Sequence, residues 1–167
     1  GRTINLPLPE FWIVNTYVPN AGMQLERLEY RVKTWDPAML EHLLELEKSK
    51  PVVWTGDLNV AERDYDRFFA GTYKQMEKSP GFTPGERASF RAMTEQGRVD
   101  AFRMLYPNAA KVYSFWSARF NQRPKNNGWR LDYFVVSDVL KDKVVDTFML
   151  PDVMGSDHCP IVLWIKK

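Results

Sequence analysis

The chain has 167 residues, 44% of them hydrophobic, with 23 Lys and Arg against 21 Asp and Glu. That length and apolar content suit one domain with a real core and exclude a disordered or low-complexity chain, whereas a net charge of +2 selects no partner by itself. The single cysteine, Cys159, excludes an internal disulfide, and no apolar run is long enough to span a bilayer, so the expectation is a soluble, intracellular protein without a signal peptide.

In chain order, Phe11 to Val18 is rich in β-branched and aromatic residues and stops at Pro19-Asn20-Ala21-Gly22, a strand followed by a turn. From Leu25 to Lys48 apolar residues recur at helical spacing. Asp36-Pro37 in the middle reads as an N-cap and first helical residue, predicting two helical pieces, the second carrying Leu40, Leu43, Leu44 and Leu46 inward. Pro51 to Thr55 is a short buried strand ending at Gly56-Asp57-Leu58-Asn59. Between Ala61 and Gly81 the sequence is polar and aperiodic, predicting a long surface connection. Thr83-Pro84-Gly85-Glu86 is a capping box opening a helix that Gly97 would end. A short helix near 100–105 then precedes strands at 112–116, 131–136, 144–149 and 161–165. Helices between early strands and mostly strands later make an α+β layered domain.

Charge is distributed more informatively than it is balanced. Between Asp100 and Asp132 there is no acidic residue, yet Arg103, Lys111, Arg119, Arg123, Lys125 and Arg130 fall there, interleaved with Tyr113, Phe115, Trp116, Phe120 and Trp129. Basic charge mixed with aromatics suits a groove for a phosphodiester backbone. The chemically suggestive residues all sit at strand ends: Tyr17 and Asn20, Asp57 and Asn59, Asp132, and Asp157 and His158. Strand ends along one sheet edge can converge on one site. Asp57 and Asn59 either alternate along an extended backbone and share a side, or form an Asx-type turn. Asp132 lies in an otherwise apolar strand and needs a partner. Of the two histidines, His42 is on an amphipathic helix beside Glu41 and Glu45, a surface position, so His158 is the better partner.

Five segments in register, Asn15 to Gly22, Gly56 to Ala61, Gly81 to Arg87, Gly128 to Phe134 and Gly155 to Pro160, resemble the exonuclease III class of apurinic/apyrimidinic (AP) endonucleases, of eukaryotic type. That class lies within the wider endonuclease/exonuclease/phosphatase superfamily. The resemblance implies a four-layer α/β sandwich of which residues 1–167 supply about the C-terminal half of one catalytic domain. It implies a DNA repair enzyme, active in base excision repair in the nucleus, that hydrolyses the phosphodiester 5′ to an abasic site and has 3′-phosphodiesterase and 3′-5′ exonuclease side activity. Position by position, Asp57 would orient or deprotonate the attacking water, while Asn59 and Tyr17, with Asn20 nearby, would bind the scissile phosphate. His158 held by Asp132 would stabilise transition-state charge, and Asp157 would belong to a site for Mg2+, with Mn2+ as the alternative. Phe115, Trp129 and Leu131 match a pocket for a flipped-out abasic sugar, with Arg119, Phe120 and Arg130 as further substrate contacts.

The chain also departs from the family pattern. Arg119 and Phe120 replace a long apolar pair that wedges into DNA, Met23 replaces an Arg that crosses the major groove, and the 61–81 connection lacks phosphate-binding Asn residues. No strand before Phe11 supplies the Asn and Glu that ligate the metal in relatives, so the expected partners are double-stranded DNA with abasic sites and a complementary N-terminal half, with no membrane and no homo-oligomer. The rival functions are a superfamily phosphatase acting on an inositol phosphate or phospholipid, and a non-catalytic DNA-binding fragment.

Overall fold

A computed structural model describes residues 1–119 and 121–166. Five strands form a mixed sheet in the order β1-β2-β3-β5-β4, with β1 (Thr3–Pro7), β2 (Trp12–Thr16), β3 (Val52–Asp57), β4 (Arg98–Asp100) and β5 (Asp132–Ser137). β6 (Val144–Met149) and β7 (Ile161–Ile165) form a second, antiparallel pair. Helices α1 (Leu28–Tyr30), α2 (Asp36–Glu47), α3 (Tyr73–Met76), α4 (Pro84–Thr94) and α5 (Ala101–Leu105) complete the α+β architecture. None of these helices, among the described residues, is long and apolar enough to cross a membrane.

Side-chain alternation along the strands divides the sheet into two faces. Val14, Val52, Trp54, Tyr133 and Val135 point to one face and meet Met39 and Leu43 of α2 and Phe90 and Met93 of α4. Val53 and Val136 point to the other, where α5, β6 and β7 cover them through Ala101, Val144, Leu163 and Ile165. That cover stops short of β1. Ile4 and Leu6, facing Asn15 and Ile13 across the ladder, are 68% and 50% exposed.

Several elements differ from the sequence expectation for identifiable reasons. β1 was not anticipated, because five residues are too short a segment to identify without the partner strand, and its apolar residues lie exposed. The helix from Leu28 to Glu47 is not broken at Asp36-Pro37 but runs through a π turn at Arg31–Trp35. Proline has no N–H for the i−4 carbonyl and its ring crowds it, and a widened turn accommodates both effects. Asp36 therefore does not cap; its carboxylate lies buried against Arg31 at 3.8 Å and accepts from Ser89 Oγ at 2.7 Å. Leu43 faces the core and Leu40 and Leu46 pack beside it, but Leu44 is exposed.

The strand expected at 112–116 reduces to single bridges from Phe115 to Trp129 and to His158. Ser114 explains this, because its hydroxyl takes the Leu131 and Asp132 N–H groups, both at 3.0 Å, in place of a backbone ladder. The 61–81 connection is not a surface loop either. Ala61, Glu62, Asp66, Arg67 and Met76 are buried, and Asp66 accepts a bidentate pair from Arg130 (2.7 and 2.9 Å) as well as a bond from Arg103. Phe68 N–H to Gly128 O and Arg130 N–H to Asp66 O, each 2.7 Å, tie this connection alongside the strand-like segment before β5.

Candidate active site

Gly56, the residue before the end of β3, has φ +117°, and a Cβ there would lie 2.2 Å from the Thr16 carbonyl oxygen, so glycine is required where β3 passes β2. The next residue, Asp57, pairs with Asp132 across β3 and β5. The chain then turns through Asn59 in the left-handed region at φ +49°. Asn59 N–H donates to Asp57 Oδ1 at 2.9 Å, and Asn59 Nδ2 donates to Asp57 Oδ2 at 3.1 Å and to the Val18 carbonyl at 2.9 Å. The two side chains thus meet through an Asx turn and not through extended alternation. Asn20 Nδ2 completes the row by donating to Asn59 Oδ1 at 3.0 Å, and its own Oδ1 accepts from Gly22 N–H at 2.8 Å. Tyr17 lies beside this row at the end of β2, half exposed, with the Arg2 guanidinium 4.9 Å from its ring centre.

A buried cation that the sequence reading missed sets the turn from beneath. Arg31 donates to the Asn59 and Leu58 carbonyls at 2.5 and 2.7 Å and pairs with Glu86 at 3.1 Å. Glu86 is also the closing residue of the Thr83 capping box, accepting from Gly81 N–H, Thr83 N–H and Thr83 Oγ1. The capping signal was legible; Arg31 would have shown only as a cation on the inward stripe of a helix.

His158 reaches the site from the turn before β7. Its Nδ1 is 2.8 Å from Asp132 Oδ2, which leaves Nε2 free, 4.0 Å from Asp57 Oδ2. Desolvation, with the Asp132 charge behind it, pushes the Asp57 carboxyl up to about 6. Burial pushes the His158 imidazole down, but its bond to Asp132 and the charges of Asp132, Asp57 and Asp157 outweigh it and hold the imidazole above its usual range. The pair sets a carboxylate acceptor beside an imidazole whose protonated form the surrounding carboxylates favour.

Phe115, Trp129 and Leu131 gather next to this pair. The Phe115 ring centre is 4.9 Å from that of His158, and Phe115, Trp129 and Leu131 pack with Ala61, Met76, Phe69 and Phe82 in one cluster. Arg119 is exposed on the loop that follows, and Phe120 lies outside the described residues. Arg130 does not face a ligand: it is fully buried and paired with Asp66 and with Asp100 at 2.8 Å, because its side chain alternates away from Trp129 and Leu131 into the protein. His42 is on the far side, bonded to Asn5.

Asp157 is exposed, its Oδ1 accepting from Ser156 Oγ at 3.3 Å while its carbonyl accepts from Trp116 N–H at 2.9 Å. Among the described residues no group of three or more His, Cys, Asp or Glu could hold a metal ion. Magnesium takes one or two carboxylates and fills its remaining positions with water and phosphate oxygens. Asp157 offers one exposed carboxylate of that kind.

The Endonuclease/Exonuclease/phosphatase family profile matches residues 1–158. A DNA-(apurinic or apyrimidinic site) endonuclease of Dictyostelium discoideum is 49% identical over 96% of the chain and 44% of its own length. DNA repair nuclease APEX1 of Danio rerio is 47% identical over 99% of the chain and 52% of its own length. The AP endonuclease of Leishmania major superimposes with a TM-score of 0.95 at 51% identity, covering 100% of this chain and 55% of that one. The chain thus spans about half the length of these relatives. It belongs to the Endonuclease/Exonuclease/phosphatase family.

Proposed function

We propose that residues 1–167 are the C-terminal half of a DNA repair phosphodiesterase that cuts 5′ to an abasic site, leaves a 3′-hydroxyl, and trims 3′ ends as a side activity. The observation that carries this reading is the Asp57–His158–Asp132 cluster at strand ends, beside the Phe115–Trp129–Leu131 cluster. Asp57, ionised above pH about 6, directs water toward phosphorus and takes its proton. His158 presents the Nε2 proton to a non-bridging oxygen while Asp132 keeps the ring in that orientation. Tyr17 and Asn20 lie where phosphate would be held. Asn59 has committed both amide protons, one of them to Asp57, so it acts first by holding the Asp57 carboxylate. Flipping a nucleotide costs a few kcal/mol, roughly, and least where no base is stacked. A small apolar pocket then selects the lesion by size.

The family depends on divalent metal. In our reading Asp157 contributes one carboxylate to Mg2+, or alternatively Mn2+, and the complementary half supplies the rest. Bound there, the ion would neutralise charge on the phosphate. Arg130 is a structural cation in this reading, and Arg119 is the exposed basic residue of the DNA-facing loop. Abasic DNA as substrate is in keeping with the names of the Dictyostelium and Danio relatives, and a eukaryotic enzyme of this kind would work in the nucleus.

The test is reconstitution. The chain mixed with the complementary half should incise abasic duplex in magnesium and stop in chelator. If both halves and metal give no incision, the chain is a DNA-binding module and not half an enzyme.

A further inference from the structure

Arg67 is a buried cation that the chemistry above does not use. It is 7% exposed, and among the described residues no carboxylate pairs with it. Among the described residues its one hydrogen bond is a long 3.4 Å donation from Nη1 to the Met76 carbonyl, and Nε has no partner there. Desolvation pushes its pKa down to about 10. The neighbouring carboxylate, Asp66, is committed to Arg130 and Arg103 instead. Aromatic faces surround the guanidinium: its carbon lies 3.6 Å from the Trp129 ring centre, 4.9 Å from Phe69 and 5.3 Å from Phe82. A methionine would fill that volume without the cost of burying a charge.

We propose that Arg67 is a positioning residue that clamps the Trp129 indole as a fixed wall of the sugar pocket, and so sets how strongly the site rejects an intact nucleotide. The proposal rests on the function argued above. Exclusion by size works only if the wall cannot swing aside. The bridge between Arg67 and Trp129 and the Phe68 N–H bond to Gly128 O fix the backbone of the wall but leave the indole torsions free. A guanidinium in van der Waals contact with one face removes that freedom, and it gains cation–π attraction where water is excluded. The opposing edge of the ring meets Gly81, at which a Cβ would lie 3.4 Å from Trp129 Cζ3. Face and edge are therefore both held.

The test compares kcat/KM for duplex carrying an abasic site with kcat/KM for the same duplex carrying an intact nucleotide, on the chain reconstituted with the complementary half. In Arg67→Met and Arg67→Lys the ratio should fall about tenfold, the scale of a change of one or two methylenes in an apolar pocket. Lysine is expected to fail as well, because a point charge on a flexible stem cannot cover a ring. Trp129→Ala should lose selectivity too, and Arg67→Met/Trp129→Ala should lose no more than Trp129→Ala alone. Full selectivity in either single variant, or additive losses in the double variant, overturns the clamp. Should Arg67→Met fail to fold, Arg67→Lys carries the same comparison. A wild-type protein that does not incise abasic duplex overturns the function and the clamp together, whereas selective wild-type incision with unchanged variants overturns the clamp alone.

Discussion

Asp57 carries opposing consequences for activity and stability. As a proton acceptor it must be ionised, so turnover should fall as pH drops through about 6. Asp132 contributes to that elevation by its charge, so Asp132→Asn should move the acid limb of the pH–rate profile to lower pH while lowering the maximum rate, since His158 loses its orienting carboxylate. An acid limb that stays near 6 in Asp132→Asn would remove Asp57 from the rate-determining ionisation. For stability the sign is reversed. A carboxyl whose folded pKa is raised contributes stability that is present below its unfolded value and lost as pH rises through the folded one. Asp57→Asn should therefore be inactive yet more stable at pH 8 by up to about 2 kcal/mol, with little difference at pH 4, measured by urea unfolding. Asn59→Ala releases the same carboxylate without changing its charge, and should cost about 3 kcal/mol in the barrier, by the scale of other preorganised donors. Turnover unchanged in Asn59→Ala would exclude that role. At this scale the sequence was legible where a residue type is costly without a partner: Asp132 in an apolar strand demanded His158. Asn59 was read as a companion of Asp57 with two geometries open, and the Asx-type turn is the one that forms, with Asn59 in the left-handed region.

Among the elements, the capping box of α4 shows the clearest path from sequence to site. Thr83, Pro84 and Glu86 announce a helix start by local chemistry alone, and Glu86 then extends that chemistry to Gly81 and Arg31. The 61–81 connection shows the converse. Its lack of period suggested a surface loop, yet it buries the Asp66 carboxylate, whose partners Arg103 and Arg130 lie far along the chain. Long-range ion pairs leave no periodic trace. Because Arg130 stands between Trp129 and Leu131, Asp66 anchors the pocket strand from behind. Those cations hold the Asp66 carboxyl below its usual range despite its burial. Asp66→Asn should then cost about 3–5 kcal/mol by leaving buried guanidinium groups undercompensated. Denaturant midpoints equal to wild type would show that Asp100 alone suffices for Arg130.

For the whole molecule, the sheet is two-faced but covered unevenly. One face is sealed by α2 and α4, while the other is covered at the β4–β5 side and left bare at β1, where Ile4 and Leu6 stand in water. Burying a Leu or Ile side chain stabilises by about 1.5–3 kcal/mol relative to leaving it exposed, so these residues suit a body that packs over β1. Sequence periodicity finds a strand when its apolar residues alternate against polar ones, and β1 does alternate, but only an observed partner strand identifies so short a segment. The family comparison covers about half of each relative's length, which gives the bare face a proposed occupant: the complementary half of the same domain. Ile4→Lys/Leu6→Lys separates this from an incidental edge. In the isolated chain both side chains are solvated, so the exchange should change unfolding free energy by no more than about 0.5 kcal/mol. Titrated with the complementary half, the same variant should bind much more weakly and restore little incision, because each lysine would have to bury an unpaired charge in the contact. Incision restored to the wild-type level at equal concentrations would place the complementary half on another surface.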